Sequence, residues 1–406
     1  MKVAIIGGGA AGFFSAIACA QNNPKVKVEI LEKTSKLLSK VKVSGGGRCN
    51  VTNATFTISE LQKSYPRGAK QLKKVFHQFM TNDTVEWFES RGVKLKAESD
   101  KRMFPITNNS QSIIDCLLRE TVNSGVTIST NSAVAKIKKK ESGGFLLVTN
   151  KEELHFDRVI VTTGGNPKKT GFDWLAKLNH KIENPVPSLF TFNLPKNSIT
   201  KLMGLSVPEA HVRIVGTKLK EQDPLLITHW GLSGPAILKL SAWGARFLAD
   251  KNYSFNILVS WVGNISEDQM REELRQISSE LKTRLVSNKN PFQFPQRLWD
   301  FLLQKTDIPT EKRWCDLSKK EMNKLLNTLI SDEYEVRGKT TFKEEFVTCG
   351  GISLQEVDFQ TMESRACKGL YFAGEVLDID GITGGFNFQA AWSTGYVAGL
   401  NAGKKV

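Results

Sequence analysis

Lys2-Val3-Ala4-Ile5-Ile6-Gly7-Gly8-Gly9-Ala10-Ala11-Gly12 stands at the start of the sequence and decides the fold. Its apolar first half predicts a strand, its glycines predict a tight turn, and residues 13–21 predict an apolar helix. A second strand is predicted at residues 27–31 and ends on Glu32, 20 positions beyond Gly12. This order of strand, turn, helix and strand is typical of a dinucleotide-binding βαβ unit.

Each glycine of this turn has its own task. Gly7 allows the tight turn, Gly9 lets the backbone approach a pyrophosphate, and Gly12 permits close contact between helix and strand. The N-terminus of the helix faces the phosphates. Glu32 would accept hydrogen bonds from a ribose diol and would disfavour a 2′-phosphate. Because NAD and FAD both satisfy such a unit, the choice between them depends on other residues.

The C-terminal segment favours FAD. Residues 369–373 predict a buried strand that runs into Gly374 and Glu375, where a carboxylate suits a ribityl hydroxyl. Gly384-Gly385-Phe386-Asn387 then begins a helix predicted at residues 388–400. Its free N–H groups and its dipole would stabilise negative charge on a reduced flavin.

The long middle of the chain predicts additional domains. Strands at residues 126–129, 145–149 and 158–162 continue the first domain. After Pro185-Val186-Pro187 come short strands separated by turns, then charged helical patterns at 267–330 and strand character at 340–348. The sequence therefore predicts an α/β fold with a discontinuous Rossmann FAD-binding domain (1–187 and 336–406), a β domain (188–265) and a small helical insert (266–335).

Composition narrows the class of protein. Lys and Arg number 56 against 41 Asp and Glu, a net charge of +15 that attracts polyanions, although scattered lysines can also serve solubility alone. The six cysteines lie far apart without metal spacing, which predicts reduced thiols, no metal and a cytoplasmic location. The first apolar run is too short for a signal sequence or a membrane span, so no membrane partner is expected.

Three longer segments resemble one family, the BaiN/RdsA (YhiN-like) flavoproteins, and the resemblance runs from end to end. They are Lys42-Val43-Ser44-Gly45-Gly46-Gly47-Arg48-Cys49-Asn50-Val51-Thr52-Asn53, Thr228-His229-Trp230-Gly231-Leu232-Ser233-Gly234-Pro235, and Gly374-Glu375-Val376-Leu377-Asp378-Ile379-Asp380-Gly381 with Gly384-Gly385-Phe386-Asn387. The resemblance implies a glutathione-reductase-like FAD domain interrupted by an inserted β-barrel and a small helical domain. Residues 188–265 then become a β-barrel-like substrate domain.

The resemblance also distributes the cofactor contacts. It implies that residues 45–50 lie along the flavin and pyrophosphate, Val134 near the adenine, Gly164 by the cofactor, and residues 374–375 and 385–387 at the ribityl chain and flavin ring. Together with the βαβ unit, the candidate FAD-binding residues are Gly7, Gly9, Ala11, Gly12, Glu32, Lys33, Ser44, Gly45, Gly46, Arg48, Cys49, Asn50, Val134, Thr163, Gly164, Gly374, Glu375, Gly385, Phe386 and Asn387.

Three residues have two interpretations each. Arg48 is either a cation for the phosphates or flavin edge, or a loop arginine paired with a carboxylate. Cys49 is either a proton donor or adduct-forming thiol beside the flavin, or a small buried residue. His229 either faces the substrate in a cavity between barrel and flavin domain or is structural. Cys49 and His229 are therefore the candidate catalytic residues.

Three hypotheses for the function are open: a reductase of RNA, a small-molecule oxidase or ene-reductase, and an RNA-binding protein with a structural flavin. The resemblance implies reduction of uridine to dihydrouridine in large-subunit ribosomal RNA, reduction of an unsaturated steroid ring, and amine oxidation. No second G-x-G-x-x-G follows a strand and no C-x-x-C is present, so NADH or NADPH is expected to reduce the flavin from the substrate side. The charge favours a reductase of ribosomal RNA, which a basic inserted domain would suit. A small-molecule amine oxidase or ene-reductase, an RNA-binding protein with a structural flavin, and the oligomeric state are left open.

Overall fold

A computed structural model describes residues 1–341 and 347–404. The chain forms two compact units: unit 1 comprises Met1–Ser188 and Phe342–Val406, and unit 2 comprises Leu189–Thr341. Within the described part of the chain, no helix combines the length and hydrophobicity needed to cross a bilayer. The strand predicted at 340–348 falls mainly on residues 342–346, which lie outside the described residues.

Strands and helices both occur throughout the described residues. The strands are β1 (Lys2–Ile6), β2 (Lys27–Leu31), β3 (Thr52–Asn53), β4 (Leu95–Ala97), β5 (Arg102–Pro105), β6 (Thr127–Ser129), β7 (Val134–Lys139), β8 (Phe145–Thr149), β9 (Glu153–Phe156), β10 (Arg158–Val161), β11 (Ile182–Pro187), β12 (Thr191–Asn193), β13 (Ser206–Ile214), β14 (Lys220–Thr228), β15 (Gly231–Ser233), β16 (Ser254–Ser260), β17 (Asp332–Arg337), β18 (Lys339–Thr340), β19 (Thr348–Ile352), β20 (Val357–Asp358), β21 (Glu363–Ser364) and β22 (Leu370–Phe372). The helices are α1 (Ala10–Asn22), α2 (Ser39–Gly47), α3 (Ile58–Leu61), α4 (Ala69–Phe76), α5 (Thr81–Glu89), α6 (Gln111–Asn123), α7 (Asp173–Ala176), α8 (Pro235–Asp250), α9 (Glu267–Glu280), α10 (Gln296–Thr306), α11 (Lys319–Ile330) and α12 (Phe386–Gly403).

The central sheet of unit 1 has the order β20-β21-β22-β10-β1-β2-β6 among the described strands. The strands from β22 to β6 run parallel, and β20 and β21 add an antiparallel edge. All of β10 is buried, and β1 is buried from Val3 onward, as expected for parallel strands covered on both faces. The predicted α/β Rossmann fold is confirmed.

Helix α12 packs against α1, so the two ends of the chain meet in one layer. Small residues permit this contact: a side-chain carbon on Gly399 would lie 2.2 Å from the Ser15 carbonyl oxygen, and one on Gly395 would lie 2.7 Å from that of Ala11. Three smaller antiparallel sheets, β3-β5-β4, β7-β8-β9 and β11-β19, complete unit 1 as the structure describes it.

Unit 2 contains an antiparallel sheet in the order β17-β16-β13-β14-β15-β12-β18 and the helices α8 to α11. One hydrophobic cluster includes residues of both the sheet and the helices, among them Val212, Leu240, Leu274 and Leu325. Barrel closure, and the division of this segment at residue 265, stay predictions. Helix α8 was not predicted, because the Ser233-Gly234-Pro235 segment at its start and the internal Gly244 weaken the local helical signal. Burial of its apolar face stabilises it nonetheless.

The positive charge lies mainly in unit 1. Residues 189–341 contain 22 Lys and Arg against 17 Asp and Glu, whereas the rest of the chain contains 34 against 24. The inserted segment has a surplus of 22 − 17 = 5 positive charges and is basic, but the rest of the chain has the larger surplus of 34 − 24 = 10. A search for a polyanion-binding surface has to include unit 1.

Candidate functional site

Four parallel strands of unit 1 end at the same edge of the sheet. A candidate residue follows each strand in the sequence: Gly7 follows β1, Glu32 follows β2, Thr163 follows β10 and Gly374 follows β22. Ligands of open parallel sheets bind outside the carboxyl ends of the strands. The fold therefore brings together cofactor candidates that are far apart in the sequence.

The turn at residues 7–12 is shaped by contacts within the protein. A side-chain carbon added to Gly12 would lie 2.0 Å from the Gly7 carbonyl oxygen and 2.8 Å from Thr162 Oγ1. The Thr162 hydroxyl also donates to the Gly7 carbonyl at 3.0 Å. Gly9 precedes α1, and a side-chain carbon there would meet no protein atom within 4 Å. The open position lies where the prediction needs room for a pyrophosphate.

Glu32 is held beside this turn. Its Oε2 accepts from the Gly8 N–H at 2.9 Å, and its Oε1 accepts from the Thr34 N–H at the same distance. The Glu32 carbonyl accepts from the Ser132 N–H, two residues before the partly buried Val134 at the start of β7. Glu32 and Val134 therefore lie on neighbouring segments, which suits a ribose and an adenine. Lys33 is exposed.

The loop at residues 44–50 leaves the helical conformation of α2. Gly45, Gly46 and Gly47 have φ values of 58°, 68° and 85°, and Cys49 also has a positive φ of 61°. Side-chain carbons on Gly46 and Gly47 would meet no protein atom within 4 Å. Left-handed backbone of this kind is strained for residues other than glycine, so the sequence of three glycines is explained by conformation.

Asn50 joins this loop to the start of α12. Its side-chain amide accepts from the Gly385 N–H and donates to the Thr52 carbonyl, both at 3.0 Å. Asn387 binds Gly381 through two hydrogen bonds of 2.9 Å. The two segments expected at the flavin ring are thus brought together. No side chain caps the first turn of α12 among the described residues, which leaves its N–H groups available for a ligand.

Arg48 has protein partners in this loop. Its Nη1 donates to Glu98 Oε1 at 2.6 Å, and its guanidinium lies 3.9 Å from the centre of the Phe104 ring. These contacts fit the interpretation of a loop arginine paired with a carboxylate. A role as a cofactor cation stays a prediction.

Cys49 is completely buried. Burial raises the pKa of its thiol to about 12, with a hydrogen bond from Ser44 acting in the opposite direction. The thiol therefore stays protonated at neutral pH, which argues against a thiolate nucleophile. This environment fits the interpretation of a small buried residue.

Glu375 and Gly374 close the site from the C-terminal segment. Glu375 accepts from Lys40 Nζ at 2.7 Å and from the Thr348 N–H at 2.8 Å. The Thr348 hydroxyl oxygen is buried with no hydrogen-bond partner among the described residues. A side-chain carbon on Gly374 would lie 2.8 Å from Cβ of Ala11, so this strand end contacts the first turn of α1.

A buried network behind this segment was missed by the sequence analysis. The Arg67 guanidinium donates to both carboxylate oxygens of Asp380, and Ser188 donates to the same carboxylate. Burial raises the pKa of Asp380, while Arg67 and Ser188 counteract that effect. The Tyr65 hydroxyl donates to the Phe386 carbonyl at 2.7 Å. The local signal was weak: Asp380 and Asp378 flank Ile379 after the apolar pair Val376-Leu377.

His229 belongs to unit 2. It occupies the turn between β14 and β15, is exposed, and has its ring centroid 3.9 Å from that of Trp230. A catalytic role for His229 stays a prediction.

The unit 1 residues fit FAD. Four glycines of the site, Gly9, Gly46, Gly47 and Gly164, have open space where a side chain would stand, and they border the strand ends and the loop. The donors are backbone N–H groups at two helix starts, and the acceptor at the ribose position is a carboxylate. This combination suits a dinucleotide with a diphosphate and a ring that gains negative charge on reduction.

Comparison with known proteins places the whole chain in one group. The sequence profile of the HI0933-like protein Rossmann domain matches residues 1–401. The 3-dehydro-bile acid delta(4,6)-reductase of Clostridium scindens is 27% identical over 100% of this chain and 99% of that protein. The ribosomal RNA dihydrouridine synthases of Escherichia coli (29%, covering 97% and 95%) and Haemophilus influenzae (28%, covering 99% and 98%) are similarly related.

Solved structures share the fold. The 3-ketosteroid-delta4-(5alpha)-dehydrogenase from Rhodococcus jostii RHA1 has a TM-score of 0.53 at 12% identity, covering 100% of this chain and 97% of that chain. The open conformation of a flavocytochrome c3 fumarate reductase has a TM-score of 0.50 at 16% identity, covering 99% and 78%. At these identities the similarity concerns the fold alone.

Proposed function

This chain belongs to the HI0933-like Rossmann family and is an FAD-dependent oxidoreductase, and on that premise we propose that it reduces uridine in large-subunit ribosomal RNA to dihydrouridine. The relatives' names support this class of reaction. A bile acid delta(4,6)-reductase and a dihydrouridine synthase both saturate a ring C=C bond conjugated to a carbonyl. The surplus of 15 positive charges supports RNA over a small neutral substrate.

Bound FAD, reduced by NADH or NADPH, would supply a hydride from N5. In a conjugated C=C bond the hydride adds to the carbon β to the carbonyl, and a proton adds to the neighbouring carbon. The chain's own residues would bind and orient the cofactor. Gly9 and the start of α1 would bind the pyrophosphate, Glu32 would bind the ribose, and the start of α12 would face the flavin ring. The buried Cys49 thiol is not required as a nucleophile in this scheme.

A second candidate is reduction of a conjugated C=C bond in a small ketone. The relative from Clostridium scindens, which aligns over the full length of this chain, favours it. None of the three relatives' names indicates amine oxidation or a purely structural flavin.

The test begins with anaerobic reduction of the flavoprotein by NADH or NADPH, followed by addition of unmodified large-subunit ribosomal RNA or a small enone. We expect reoxidation by the RNA and a mass gain of two hydrogens on one uridine. Reoxidation by the enone alone would favour the second candidate. Equal dihydrouridine content in ribosomal RNA from a deletion strain and its parent would refute the proposal.

A further inference from the structure

Helix α4 presents a purely basic face to solvent. It buries Leu72, Val75 and Phe76 and exposes Lys70, Lys73 and Lys74. Among the described residues, no carboxylate forms an ion pair with these three lysines. Lys70 and Lys74 are four positions apart and therefore lie on the same side of the helix.

These two lysines form one wall of a cleft of about 400 Å³. Gln71 lies between them, and the facing wall contains Gln355 and Arg365. The Asp358 carboxylate, which is not part of the lining, forms a long ion pair of 3.9 Å with the Arg365 guanidinium. Leu354, Val357 and Phe359 complete the lining, so that three cations and two amides line the cleft without an acid.

The two walls are fixed to each other and to the flavin segment. Gln78, just beyond α4, donates to the Gln360 carbonyl at 3.0 Å, which joins the helix to the other wall. At the N-terminal end of α4, Gly68 contacts Ile379 and Arg67 binds Asp380. The cleft thus lies on the same framework as residues 374–381.

We infer that the cleft between α4 and residues 354–365 binds the phosphate backbone of RNA. The identity of the polyanion rests on the proposed function. The evidence for a polyanion site is the three cations, the absence of acids in the lining, and the volume of the cleft. The cleft is open to solvent rather than enclosed, which leaves room for an extended phosphate backbone. Phe359 is only 3% exposed and offers no ring for base stacking, so recognition is of phosphates and independent of sequence.

The test compares two charge reversals of equal size. Lys70→Glu/Lys74→Glu changes the cleft, and Lys25→Glu/Lys94→Glu changes exposed lysines of unit 1 elsewhere. A fluorescein-labelled fragment of large-subunit ribosomal RNA serves as the probe in anisotropy titrations. We expect the cleft variant to bind at least about tenfold more weakly than the control. Its slope of log Kd against log salt should fall by about 1.4, the value for two phosphate contacts on a single strand.

Equal affinity of the two variants would overturn the inference. So would an unchanged affinity for RNA with slower flavin reduction by NADPH, which would assign the cleft to the phosphates of the nicotinamide nucleotide. Arg365→Gln, on the facing wall, should weaken binding about threefold and guards against local unfolding of α4 as the cause. If the wild type forms no dihydrouridine but binds RNA through Lys70 and Lys74, the proposed function fails and this inference stands.

Discussion

The turn at residues 7–12 and the loop at residues 44–50 are both rich in glycine, but they use glycine differently. In the turn, Gly12 is required by its neighbours, because a side-chain carbon would lie 2.0 Å from the Gly7 carbonyl oxygen. In the loop, Gly46 has no protein atom within 4 Å of that position, and its φ of 68° is the constraint. Glycines in a motif can therefore be required for two reasons. In the turn they allow close packing within the protein, and in the loop they allow a left-handed backbone and leave space for a ligand.

The largest expected effect is that of Gly12→Ala. The added carbon overlaps the backbone of β1 and its turn, so we expect a loss of at least about 3 kcal/mol in the free energy of unfolding, or no folded protein. Urea unfolding of the apoprotein measures it. Gly9→Ala is the control, because it meets no protein atom and should leave the unfolding midpoint unchanged while lowering the affinity for FAD. Equal midpoints for wild type and Gly12→Ala would contradict the packing argument.

At Gly46 in the loop, the larger Asn should destabilise the protein less than Ala does, which is the opposite of the order expected at Gly12. Gly46→Ala forces an ordinary residue into the left-handed region, at a cost of about 1–2 kcal/mol, whereas Gly46→Asn costs less because Asn tolerates that conformation. At Gly12 the larger Asn should be worse than Ala. Urea unfolding of the four apoprotein variants tests the reversal. The same ranking at both positions would mean that sterics, not conformation, govern the loop.

Arg48 gives a smaller effect that sharpens the comparison. Its side chain is 32% exposed and that of Glu98 is 28% exposed, so the pair should contribute no more than about 1 kcal/mol. We expect Arg48→Met and Glu98→Gln to change the Kd for FAD equally, by less than about threefold. A much weaker FAD affinity in Arg48→Met alone would restore Arg48 as a cofactor cation.

Cys49→Ala should have the smallest effect, with kcat within about threefold of wild type, because the thiol is completely buried and protonated. Removal of a general acid or base would instead cost about 10²–10⁴ in rate. The folded pKa of about 12 lies above the ordinary thiol value, so the thiolate fraction stays negligible until the pH approaches that value. The value of kcat should therefore show no rise caused by this thiol between pH 7 and pH 10, because at about two units below the pKa only about 1% of the thiol is ionised. A rise near pH 8.5, the ordinary thiol pKa, that disappears in Cys49→Ala would reinstate a thiolate.

Local signals explain what the sequence could predict. Strand β2 matches the predicted residues 27–31, and β1, α1, β10 and α12 lie where strand and helix patterns placed them. Their signals, apolar runs and glycine turns, occupy a few consecutive residues. The glycines of the site were predictable for the same reason, since backbone conformation is a local property.

Side-chain partners were not predictable, because they come from distant segments. Arg67 binds Asp380 across 313 positions, and no pattern near Arg67 marks it. The charge of the chain was visible as a total, but its concentration on α4 depends on which lysines share a face with a cleft. Helix α8 was missed because tertiary burial outweighs its weak local propensity.

The close contact of α1 with α12 has a consequence for the order in which the protein is made. During synthesis α1 leaves the ribosome long before its helical partner α12. Unit 2 is one continuous segment, whereas unit 1 lacks β22 until residue 372 and the whole of its helical layer until residue 403. The site expected for the flavin, which includes residues 374–375 and 385–387, can therefore assemble only after those residues have been synthesised. Fragments that end earlier expose the apolar surfaces of α1 and β10 and become clients of chaperones or proteases.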